Sequence, residues 1–109
     1  MMTTSPLETQ IEQKLKNEIE KLDGLYYKFI SPEHNGVPDR VVICRGQVFF
    51  VELKRPGEKP RRLQDAIHYK MRKRGAHVLV ISNEKEIDSL VAYLKNKRNK
   101  PSRLEINKL

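Results

Sequence analysis

Three patterns in the 109-residue chain predict an α/β fold, a central mixed β-sheet flanked by helices, in one domain spanning residues 1–109. Some stretches repeat apolar residues at helical spacing, and others are short apolar runs of strand type. Pro and Gly clusters separate the two kinds. The resulting order is α, β, β, β, α, β, α, which a mixed sheet with flanking helices accommodates.

The first helix is predicted from Leu7, Ile11, Leu15, Ile19 and Leu22, which form one stripe. Ser5-Pro6 supply an N-cap and first turn, and Asp23-Gly24 the stop. "LYYKF", Leu25 to Phe29, reads as a strand, and "ISPEHNGVP" as a loop. "RVVIC" and "VFFVEL" are two strands around Arg45-Gly46. After the loop "RPGEKP", Pro60 begins a helix carrying Leu63, Ile67 and Met71 at i, i+4 and i+8, ended by Gly75. "AHVLVIS" is a strand of the buried type. Asn83 and Glu86 form a capping box for a last helix that buries Ile87, Leu90, Val91 and Leu94. The core is expected in residues 7–94, with a basic tail over 95–109.

Lys and Arg outnumber Asp and Glu by 22 to 14, giving a net charge of +8. That excess favours a polyanionic partner, nucleic acid before an anionic membrane surface. The one cysteine, Cys44, excludes a disulfide framework within the chain, so a reducing cytoplasm is expected. No run approaches the ~18 apolar residues of a membrane span, and "MMTTSPLETQ" carries no secretory apolar segment.

The chemistry concentrates in "GVPDRVVICRGQVFFVELKRP". With Arg45-Gly46 as a two-residue hairpin turn, Cys44 pairs with Gln47 and Asp39 falls opposite Glu52. Opposed residues share a sheet face with Cβ atoms ~4.5–5.5 Å apart. Lys54, two residues beyond Glu52, shares that face, and Leu53 points into the core. A three-residue turn would break this arrangement. Two carboxylates at ~5 Å repel by roughly 3 kcal/mol at an effective dielectric of 20. Two arrangements offset that repulsion: a surface ion cluster with Lys54, or a divalent cation held by Asp39, Glu52 and the Leu53 carbonyl. Mg²⁺ suits the second, because it takes oxygen ligands and commonly uses one or two carboxylates plus substrate phosphate.

"VPDR" followed by "VELK" resembles the PD-(D/E)xK nuclease signature, here Pro38-Asp39 and Glu52-Leu53-Lys54. More narrowly, "YYKFISPEHNGVPDRVVI" and "VFFVELKRPGEKPRRLQ" resemble the VRR-NUC branch of that superfamily, especially its small stand-alone phage members. The similarity runs from Leu7 to about Leu94. It implies a restriction-endonuclease-like fold and hydrolysis of DNA phosphodiesters with Mg²⁺ or Mn²⁺. It also implies that Asp39 and Glu52 bind the metal. Lys54 would then position or deprotonate the attacking water, or steady the charge on phosphorus. The family carries an acidic residue on its first helix, for which Glu8 and Glu12, one turn apart, both qualify. Gln64 corresponds to a family glutamine near the active site, against the alternative of an ordinary exposed helix residue.

Around this centre Arg55, Lys59, Arg61 and Arg62 are expected to contact DNA phosphates, the last three near a helix N-terminus. His34, in the loop before Asp39, is a further candidate for DNA contact. The run Lys70, Arg72, Lys73 and Arg74 reads equally as DNA contact or solvated helix. With ~5 phosphate contacts, log K would fall with log salt at a slope near −4.5. No aromatic interleaving accompanies these runs, which favours recognition of DNA shape over sequence. The resemblance implies a homodimer acting on branched DNA such as four-way junctions. The rival expectation is a DNA-binding module of the same fold without catalysis.

Overall fold

The computed structural model describes residues 6–31 and 36–97. In chain order the elements are α1 (Pro6–Lys21), β1 (Leu25–Lys28), β2 (Arg40–Cys44), β3 (Gln47–Leu53), α2 (Arg62–Lys73), β4 (His77–Ile81) and α3 (Glu84–Lys95). The strands form one sheet in the order β1-β2-β3-β4, antiparallel except for the parallel β3–β4 pair. A mixed sheet flanked by three helices is the predicted architecture. Ser5 and His34 lie outside the described residues, as does the tail beyond Lys97.

The β2–β3 hairpin has the predicted register, with Cys44 opposite Gln47 and Arg40 opposite Val51. Both turn residues take positive φ, Arg45 at 53° and Gly46 at 78°, so the turn follows the right-handed twist of the strands. Period-2 alternation then divides the sheet into two faces. Val42, Cys44, Phe49, Val51 and Leu53 point inward against Ile11, Leu15 and Ile19 of α1 and Ile87, Leu90 and Leu94 of α3. Lys14 of α1 bonds Glu84 and Asp88 of α3 at 3.0 and 3.1 Å, tying the two helices together.

The outer face carries α2 over its β4 side, and here the structure departs from expectation. The helix starts at Arg62 rather than Pro60, and Leu63 is 51% exposed. Its buried residues are polar, Gln64 and His68. The apolar stripe lies on the flank, where Leu63 and Ile67 approach Gly36. Gly36 has φ +91°, and a Cβ there would meet the Leu63 side chain and carbonyl oxygen at 3.2 Å. A side chain at this position would strain the backbone and crowd α2, so glycine favours the close approach of the segment leading to Asp39.

Two smaller differences follow. Phe29 lies beyond β1, although its N–H donates to the Asp39 carbonyl at 2.8 Å. At α3, Asn83 caps the Glu86 N–H as expected, but the Glu86 carboxylate accepts from Ser82 N rather than returning to Asn83.

Candidate active site

At the end of the hairpin away from its turn, the sheet rim lies between α1 on one face and α2 on the other. Glu52 is the next-to-last residue of β3 and faces outward, yet it is only 8% exposed because α2 covers it. Gln64 is the covering residue. Its Nε2 donates to Glu52 Oε2 at 3.2 Å, and its Oε1 accepts from Arg61 N at 2.9 Å. One side chain thus caps the helix and holds the carboxylate, so Gln64 is not an exposed helix residue. Lys54 Nζ lies 3.9 Å from the same Glu52 oxygen, confirming that the two share a face. Leu53 turns its side chain into the core, and its carbonyl ends β3 where Lys54 N donates to Ile81 O at 2.9 Å.

Asp39 lies one residue before β2. The register, continued one step beyond Arg40–Val51, sets it opposite Glu52. The electrostatics agree with that juxtaposition. Burial, then the negative charge of Asp39, pushes the Glu52 carboxyl up to about 7, against the opposing charges of Lys54, Arg61 and Arg40. A protein site that crowds two carboxylates in this way favours a cation between them. Among the described residues no group of three or more His, Cys, Asp or Glu side chains is placed to hold a metal ion. The donor set, two carboxylates and a strand-end carbonyl, fits a hard cation completed by solvent and phosphate rather than a closed cage.

The first-helix acids separate. Glu12 Oε2 accepts from Arg40 Nε and, at 3.0 Å, from the Tyr26 hydroxyl. Burial opposes its ionisation, but the bonds from Arg40 and Tyr26 outweigh it and hold the carboxyl below its ordinary value. Glu8, half-buried one turn earlier, places its charge within range of Arg55. Arg55 itself pairs with Glu58 at 3.1 Å across the loop after β3. Lys59, Arg61 and Arg62 are absent from such pairing in the described ion pairs and stand near the N-terminus of α2, with Arg61 and Arg62 exposed. Arg72 is tied down, its guanidinium donating to Val78 O at 3.2 and 2.9 Å.

Two residues escaped the sequence. Arg40 links Glu12 to Asp39, pairing with Asp39 Oδ2 at 3.1 Å. Its signal was parity: it shares the inward face with Val42 and Cys44, where a charge needs a partner. His68 follows Gln64 by one turn and is fully buried, with neither ring nitrogen hydrogen-bonded among the described residues. Burial, then the charge of Arg72, keeps its imidazole below the usual range.

No family model matches the chain. The phage protein "Putative nuclease p44" of Acyrthosiphon pisum secondary endosymbiont phage 1 is 42% identical over 78 residues, covering 71% of this chain and 84% of that protein. A solved structure described as "VRR_NUC domain" superposes with a TM-score of 0.75 at 36% identity, covering 81% of this chain and 97% of that one.

Proposed function

Since the chain belongs to the VRR-NUC family of nucleases, we propose that it is a metal-dependent DNA endonuclease whose active site is the rim of Asp39, Glu52 and Lys54. One observation carries the proposal: a covered carboxylate, Glu52, is crowded by Asp39 and approached by Lys54 at 3.9 Å. Asp39, Glu52 and the Leu53 carbonyl would hold Mg²⁺ or Mn²⁺. When bound, the cation supplies Lewis-acid polarisation of the phosphodiester and a hydroxide nucleophile near neutral pH. Gln64 fixes Glu52 from α2 and leaves its orientation little freedom. Lys54, with its ammonium at the rim, orients the attacking water or offsets charge developing on the phosphate. Arg55, Lys59, Arg61 and Arg62 bind flanking phosphates, with Glu8 near Arg55.

Branched DNA, such as a four-way junction, is the substrate class, cut by a homodimer whose two-fold axis matches that of the junction. The outer sheet face beyond α2 supports pairing of two copies. Leu25, Tyr27, Ile43 and Val48 lie exposed there, and aligned registers place them on one surface. A second reading, DNA binding without cleavage, draws on the partners both carboxylates already have, Arg40 for Asp39 and Lys54 for Glu52. Labelled junction and linear duplex, incubated with Mg²⁺ or with chelator, decide between them. Cleavage of the junction with Mg²⁺ alone is expected. A band shift without cutting under every metal condition would establish the binding module instead.

A further inference from the structure

We infer that Arg40, clamped by Glu12 and Tyr26, is the positioning residue that sets the carboxylate of Asp39. The inference rests on the metal-site reading above and adds to it a supporting network on the α1 side.

Asp39 sits on a bend outside β2 with its side chain 55% exposed, so its own packing does little to fix it. Arg40 is the opposite, with a side chain only 13% exposed. Its Nη1 contacts Asp39 twice, donating to the carbonyl oxygen at 3.1 Å and pairing with Oδ2 at 3.1 Å. Backbone and carboxylate of one residue are thereby referred to a single guanidinium. The other edge of that guanidinium is anchored by Nε to Glu12 Oε2, which Tyr26 also engages. Three elements, α1, β1 and β2, therefore converge on the orientation of one carboxylate. A planar fork with donors on two edges can do this, whereas a lysine ammonium cannot reach both partners in fixed geometry. Glu12 is accounted for by the same network: it serves Arg40, and the acid nearer the rim's basic loop is Glu8. Groups that orient a metal ligand commonly change metal affinity 10–100-fold when replaced.

The test is Mn²⁺ binding by calorimetry, with thermal unfolding of each variant alongside, for wild type, Arg40→Lys, Tyr26→Phe, Asp39→Asn and the double variant Arg40→Lys/Asp39→Asn. Arg40→Lys should weaken Mn²⁺ binding about tenfold, and Tyr26→Phe by a smaller factor. In the Asp39→Asn background Arg40→Lys should add no further loss, because its effect passes through Asp39. A merely structural Arg40 would lower thermal stability and leave the Mn²⁺ affinity of the folded protein unchanged, which would overturn the inference. Tighter binding, or equal loss in both backgrounds, would overturn it as well. If Arg40→Lys does not fold, unchanged Mn²⁺ affinity in Tyr26→Phe is the overturning result. Equal Mn²⁺ binding by wild type and Asp39→Asn would instead remove the metal-site reading, and the inference with it.

Discussion

Helices α1 and α2 both lie against the sheet, but they bury different chemistry. On α1 the stripe Ile11, Leu15 and Ile19 is closed off from solvent against the inner face, as its periodicity predicts. On α2 the residues at the interface are Gln64 and His68, while Leu63 of the apolar stripe is half exposed. The contrast marks where burial serves folding and where it serves a site. A helix that covers a charged strand end must present polar groups to it, because an ionisable group covered by hydrocarbon alone is costly to bury.

The contrast sharpens if the two helices respond differently to loss of buried groups. Leu15→Ala should destabilise the protein by about 4 kcal/mol in urea unfolding, since a fully buried Leu leaves a cavity. A loss below 1 kcal/mol would show that the inner face can collapse around it. The next effect belongs to the outer face. In metal-free protein, burial and the charge of Asp39 push the Glu52 carboxyl up to about 7 from its ordinary 4.5, so the folded state holds the proton more tightly than the unfolded state. The contribution of Glu52 to stability is then fully present below about pH 4.5 and is lost as pH rises through about 7, by roughly 3 kcal/mol. Chelator-treated protein unfolded across that range should show the fall, and Glu52→Gln should abolish it. Smallest is His68→Leu. Neither ring nitrogen has a partner among the described residues, so an apolar replacement of similar size should be neutral or stabilise by about 1 kcal/mol. Marked destabilisation by His68→Leu would mean that the imidazole has a bonded role, and α2 would then resemble a conventional polar network.

The same contrast explains what the sequence revealed. The inner face was legible because one tight turn, Arg45-Gly46, fixes the hairpin register and alternation assigns every later side chain. That logic also put Glu52 and Lys54 together and left Leu53 to the core. It ran out at α2, where Leu63, Ile67 and Met71 outweighed the Gln64–His68 pair although the latter also recurs at helical spacing. Hydrophobic period identifies a buried face only when the opposing surface is apolar. Arg40 was missed for a related reason. Its partner Glu12 lies 28 residues away, and only tertiary packing of α1 on the sheet brings them together. Glu8 and Glu12 could not be told apart by spacing for the same reason.

The most direct test of the central claim is cleavage of a labelled four-way junction in Mg²⁺ by wild type, Asp39→Ala and Lys54→Ala, each matched with a band shift in chelator. Junction binding should persist in all three proteins while cutting is confined to wild type. Full cutting by either variant would contradict the role given to that residue, and full cutting by both would place the chemistry somewhere other than this rim.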